Sequence, residues 1–169
     1  VNILNLFADK VDALNDWIGR MVAYLIIPLT LVVVLEVILR YFFSSPTIWA
    51  WDVNMYLGGL MVIFGGGYAL HYDMHVSVEI LLDSWNPKNR ALLNMILSPF
   101  IIVPLGILVW FGAEAAWHSV KIGERYTSLW EPIIYPLRIC IPLGAALFFF
   151  QAISKLIKNV NAYLVCRKD

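Results

Sequence analysis

Glu36 and Arg40 stand four residues apart inside an otherwise apolar run, MVAYLIIPLTLVVVLEVILR. An ionisable group within a membrane span costs about 2.5–3.5 kcal/mol on insertion scales, so each one needs a reason to be there. A free Glu36 can carry protons or bind a cation. Glu placed four residues before Arg on a helix is also the favourable pairing order, which makes mutual neutralisation the better reading. Asp52 follows across the short segment YFFSSPTIWAW, where Pro46 bends the chain and Trp49 and Trp51 suit an interface. Asp52 opens the next apolar run, where the positive end of a helix dipole favours a carboxylate. Arg40 and Asp52 then lie at similar depth, and a structural clasp between them is expected rather than a cation site.

A second group lies in HYDMHVSVEILLDSWNPKNR. His71, His75, Glu79 and Asp83 follow one another at four-residue steps along one helical face. Four ligands on one straight helix reach too far for a single zinc ion, so the stripe reads as a solvated face. Haem held by two histidines needs opposing rings, whereas His71 and His75 share a helix. His118, four residues after Glu114, is one more His–carboxylate pair and a weak catalytic signal. Gly58, Gly59, Gly65, Gly66 and Gly67 stripe an apolar segment; they form no GxxxxGK[ST] loop and read as helix-packing positions. No nucleophile–base pair, zincin motif or nucleotide fingerprint is present. The expectation is a protein that is not an enzyme, with no catalytic residue, cofactor or resident metal.

The elements that must carry these residues follow from composition. Of 169 residues, 61% are hydrophobic and 14% charged, and the mean hydropathy is +0.76, which excludes a soluble domain and a disordered chain. Twelve basic residues balance twelve acidic ones, so nothing suggests nucleic acid. Cys140 and Cys166 are too far apart for a CxxC motif and argue against a disulfide scaffold. No signal-peptide pattern stands near the start. Runs such as LIIPLTLVVVLEVIL do not alternate, which excludes a β-barrel. The fold class expected is an all-α integral membrane protein, one membrane domain over 1–169. Four spans are expected near 18–43, 53–70, 91–113 and 133–156. A short amphipathic surface helix is expected near 74–85, ended by Asn86-Pro87.

All seven tryptophans fall near an expected span limit, as an aromatic belt requires. With four spans, Lys10, Arg20, Lys88, Arg90, Lys155, Lys158, Arg167 and Lys168 share one side, against Arg40, Lys121, Arg125 and Arg138. That asymmetry expects both termini in the cytoplasm. Pro99 and Pro104 can kink the third span, and Pro136 and Pro142 the fourth.

Three segments resemble a known family. They are E-VILRYFFSSPTIWAWD between the first two spans, GGGYALHYDMHVSVEILLDSW after the second, and PIIYPLRICIPLGAALFFF, whose IPLG contains Pro142 and Gly144. In order and spacing they resemble the small membrane subunits of tripartite ATP-independent periplasmic (TRAP) transporters, over about Trp17 to Leu156. The chain departs at His71, where the family more often has Arg or Lys. The resemblance implies a small scaffold subunit of a Na+-driven importer of organic acids in the bacterial inner membrane. Its implied partners are a large TRAP membrane subunit, which carries Na+ and substrate, and a periplasmic substrate-binding protein. Substrates of the family are carboxylates such as C4-dicarboxylates and sialic acid, and the general likeness leans to the sialic acid branch. Membrane lipids are the remaining expected partners. Glu36, Arg40, Asp52, Trp49, Trp51, Gly58, Gly59, Pro142 and Gly144 are the structural and interface candidates. The competing reading is a small homodimeric proton-coupled multidrug exporter built on Glu36. An enzyme subunit of a quinone- or haem-linked complex is a third.

Overall fold

A computed structural model describes residues 3–72 and 87–166. Among the described residues five helices follow in order: α1 (Ile3–Ala23), α2 (Ile26–Phe42), α3 (Ala50–His71), α4 (Pro87–Ile122) and α5 (Tyr135–Cys166). Among the described residues four helical stretches are long and apolar enough to cross a membrane, and α1 with α2 makes the first of them. The described residues hold no strand beyond an isolated bridge between Arg125 and Ile133. The surface helix expected near 74–85 lies outside the described residues.

The first helix starts at Ile3, well before the expected start of the first span, and breaks at Tyr24 and Leu25. Pro28 explains the break. It has no N–H for the carbonyl four residues back, and its ring crowds that carbonyl, which belongs to Tyr24. The Tyr24 carbonyl instead takes the Ile27 N–H at 3.1 Å, and Leu25 N–H closes on Val22 at 3.0 Å, a local tightening to three-residue turns.

The two halves bury different faces. The buried positions of α1 are Ala8, Asp12, Asn15 and Gly19, one small and polar stripe at helical spacing. That stripe lies against α3 and α5. In α2 no residue is buried; most of its Ile, Val and Leu side chains point outward, as expected where the surroundings are as apolar as they are, and Leu29, Val32 and Leu39 are half-buried. On α4, Ser98, Leu105, Ala116 and Ser119 are buried along the line that faces α5. Thus α3 and α5 form the centre, α2 packs on α3, and α4 packs on α5.

Small residues set the closeness of the central pair. A Cβ on Gly144 of α5 would lie 2.7 Å from the Ile63 carbonyl oxygen of α3, and one on Gly66 would lie 3.0 Å from the Phe148 ring. Gly67 leaves room for Asn15, and Gly19 for Tyr68, so α1 nests on α3 through the same device. Gly58 and Gly59 do not belong to it. Added methyls there would meet only Leu29 at 3.9 Å and Leu137 at 3.8 Å, which is ordinary contact, and Gly65 faces open space. Close packing therefore covers part of the glycine stripe and not its whole length. Pro99, Pro104 and Pro142 lie inside their helices, whereas Pro136 sits in the first turn of α5, where a missing N–H costs nothing.

Candidate functional site

The largest fully buried side chains among the described residues are polar: Gln151, Asn15, Asp52, Ser119 and Ser154. They fall at two ends of the molecule.

At the end holding both termini, α5 presents Gln151, Ser154 and Lys158 to α1. Gln151 Nε2 donates to Asp12 Oδ1 at 2.8 Å, and Ser154 Oγ donates to the same oxygen at 2.7 Å. Lys158 Nζ donates to Asp12 Oδ2 and reaches Asp9 at 3.2 Å. Asn15 Nδ2 donates to Gln151 Oε1 at 2.9 Å, so the Gln151 amide bridges two side chains one turn apart on α1. His71 closes the group from α3, with Nδ1 3.3 Å from Gln151 Nε2 and 3.6 Å from Asp12 Oδ2. Next to it the Tyr72 hydroxyl donates to Asp16 at 2.7 Å, and Arg20 pairs with Asp16 at 2.5 Å. The hydrogen bond to Asp16 holds the Tyr72 hydroxyl above the usual phenol range, so it remains a donor. Asp12 is 8% exposed and Gln151 2%, so these groups satisfy one another instead of water.

This seam was not singled out from the sequence. Its signal is a lone Gln151 in FFFQAISKLIK, with Ser154 and Lys158 on the same face, set against Asp12, Asn15 and Gly19 at the matching spacing in α1.

At the opposite end lie the candidates Glu36, Arg40 and Asp52. Arg40 donates to Glu36 Oε1 from Nη2 at 2.6 Å and from Nε at 3.1 Å. The other oxygen of Glu36 accepts from the Thr47 backbone N–H at 3.1 Å and from its hydroxyl at 2.5 Å. Thr47 Oγ1 in turn accepts the Ala50 N–H at 3.3 Å, an unspent donor at the start of α3. Glu36 thereby ties the end of α2 to the start of α3.

The expected Arg40–Asp52 clasp is not formed. Asp52 is 2% exposed and accepts from Ser128 Oγ at 2.6 Å. Ser128 lies in the 123–134 connection, which folds back on itself: Tyr126 N–H reaches Pro132 O at 2.9 Å and Ile134 N–H reaches Glu124 O at 3.1 Å. Gly123, with φ +59°, supplies the turn that ends α4 and starts this fold-back. Arg138 of α5 pairs with Glu124 at 2.7 Å, and the Tyr56 hydroxyl of α3 donates to Ile133 O at 3.2 Å. The connection thus clamps α3 to α5, and Arg40 is spent on its own helix.

Trp51 is 74% exposed and Trp49 half-buried at the start of α3. Pro142 lies 3.6 Å from a Cβ placed on Gly112, so it marks an α4–α5 contact. His75, Glu79 and Asp83 are outside the described residues. Among the described residues no three His, Cys, Asp or Glu side chains gather as metal ligands.

The arrangement can brace helices: Asp12, Glu36 and Asp52 each accept hydrogen bonds from donors of this chain. Over residues 29–162 the chain matches the family model described as tripartite ATP-independent periplasmic transporters, DctQ component. It belongs to that family. The small TRAP subunit is similar to the C4-dicarboxylate TRAP transporter small permease protein DctQ of Vibrio cholerae serotype O1 (strain ATCC 39315 / El Tor Inaba N16961). The two are 25% identical, over 85% of this chain and 71% of the relative. The small TRAP subunit is accordingly a transporter component and not an enzyme, and a multi-pass protein of the bacterial inner membrane.

Proposed function

We propose that this small TRAP subunit is a scaffold in a Na+-coupled, binding-protein-dependent importer of an organic acid. It packs against the large membrane subunit, which carries Na+ and substrate, while a periplasmic binding protein delivers the cargo. The cargo is a carboxylate of the C4-dicarboxylate or sialic acid type. The name of the Vibrio relative supports the former. Both termini face the cytoplasm, in keeping with the Lys/Arg asymmetry.

One observation carries this reading. Asp12, Glu36 and Asp52 each accept hydrogen bonds from another segment of this same chain. A carrier carboxylate must exchange its partners during each cycle, whereas these hold helices in place. The engagement of Glu36 by Arg40 and Thr47 also counts against the proton-coupled exporter.

The test is uptake in proteoliposomes, with the Na+ gradient, the large subunit and the binding protein each supplied or omitted. Uptake should require all three. Glu36→Gln should retain appreciable uptake in the full complex. Substrate movement by this chain alone would sink the scaffold reading.

A further inference from the structure

A cleft of about 710 Å³ opens where the last turns of α4 meet the first turn of α5. Phe111, Glu114, Trp117, His118, Lys121 and Arg138 line it. Its depth is set by the sequence below it. From Leu92 to Ala113 the helix carries no charge, a length of about 33 Å at 1.5 Å per residue, which matches the hydrocarbon core of a bilayer. Glu114 is the first ionisable group beyond that stretch, so the cleft stands at headgroup level. Gly112 packs on Ile141 and Pro142. Arg138, one turn outward from Pro142, is therefore level with Ala116, between Glu114 and His118.

The cleft holds unspent groups of both signs. Glu114 and His118 are exposed and make no hydrogen bond or ion pair among the described residues. Lys121 Nζ lies over the Trp117 ring, 5.4 Å from its centre, and has no carboxylate partner among the described residues. Arg138 commits one nitrogen to Glu124 at 2.7 Å and keeps 37% of its side chain exposed. From Phe111 in the cleft, Ile107, Val103 and Phe100 are exposed in succession down α4. They end at a hollow of about 290 Å³ beside Pro99 and Pro104.

We propose that this cleft binds one phospholipid with a phosphoethanolamine headgroup. Arg138 and Lys121 take the phosphate, and Glu114 takes the ammonium. The two acyl chains lie along the exposed apolar side of α4. A purely anionic headgroup leaves Glu114 facing phosphate with no cation of its own. A choline headgroup has a positive charge but no N–H to donate to the Glu114 carboxylate. Only a primary amine beside a phosphate answers both signs of the cleft.

The full-length chain is reconstituted in vesicles of equal parts phosphatidylethanolamine, phosphatidylglycerol and phosphatidylcholine. It is then extracted, and the lipid it retains is counted by native mass spectrometry. One phosphatidylethanolamine per chain is expected, favoured about fivefold or more over either competitor. Glu114→Gln keeps shape and removes the charge at an exposed position, and should bring phosphatidylethanolamine down to the level of phosphatidylcholine. Lys121→Gln should lower retention of all three. Soluble glycerophosphoethanolamine at the same concentration should not displace the lipid, because it lacks the chains. Equal retention of the three lipids, enrichment of phosphatidylglycerol, a preference that survives Glu114→Gln, or displacement by the soluble headgroup would each overturn the proposal. So would a photo-cross-linker at position 118 that captures the large subunit and no lipid in the assembled complex.

Discussion

Gln151 of α5 donates to Asp12 of α1 across 2.8 Å, a contact between residues 139 positions apart in the chain. With Asn15 on its carbonyl, the one amide fastens the N-terminal helix to the last span. Gln151→Leu fills similar space but removes both bonds. It should lower unfolding stability by about 1–3 kcal/mol, since Asp12 and Asn15 each lose a partner that lipid cannot replace. Ser154→Ala leaves Asp12 its other donors and should cost nearer the membrane average of about 0.6 kcal/mol. Both are read from the midpoint of unfolding in mixed micelles as denaturing detergent is added. Equal midpoints for wild type and Gln151→Leu would show that the seam contributes nothing.

Glycines of the central helix pair should respond unequally. Gly144→Ala puts a methyl 2.7 Å from the Ile63 carbonyl, and backbone on both sides has no room to yield. A loss of about 1–3 kcal/mol is expected, the usual cost of overpacking. Gly58→Ala meets only Leu29 at 3.9 Å and should be neutral or slightly stabilising, because alanine holds a helix better than glycine does. Expression level and unfolding midpoint of the two variants, compared directly, decide the matter.

Arg40 and Asp52 act on different partners, so their losses should add. In a double-mutant cycle, Arg40→Ala and Asp52→Ala should show no coupling beyond about 0.5 kcal/mol. Asp52→Ala with Ser128→Ala should couple, since they share a 2.6 Å hydrogen bond. A coupled first pair and an additive second pair would restore the clasp expected from the sequence.

Thr47→Val removes a hydroxyl that donates to Glu36 and accepts from Ala50 N–H. The helix-end bond alone is worth about 1 kcal/mol. The variant should fray the start of α3, seen as faster hydrogen exchange at Ala50 and Trp51. Exchange unchanged from wild type would mean that the loop holds α3 by other means.

Topology has a direct measurement. With both termini cytoplasmic, a membrane-impermeant thiol reagent should label Cys166 only after the cells are permeabilised. Labelling in intact cells would reverse the orientation.

Four apolar stretches, the all-helical class and the Glu36–Arg40 pair were readable along the chain. Span length and an i,i+4 spacing are local quantities, and lipid favours unbroken apolar runs whatever their neighbours are. The three quoted segments carried the family likeness for the same reason. Tertiary structure decided the rest. Nothing local to the chain singles out Asp12 and Asn15; only the approach of α5 turns them into a buried seam. Asp52 had Arg40 as its nearest cation in sequence, yet the fold-back after Gly123 carries Ser128 to it and leaves Arg40 with Glu36. The five glycines of α3 look alike as a string, and only the approach of Phe148 of α5 to Gly66 and of Asn15 of α1 to Gly67 separates the tight from the loose. Apolar burial in a bilayer is set by each segment alone. The choice of polar partner is set by which helices meet, and that is a property of the assembled chain.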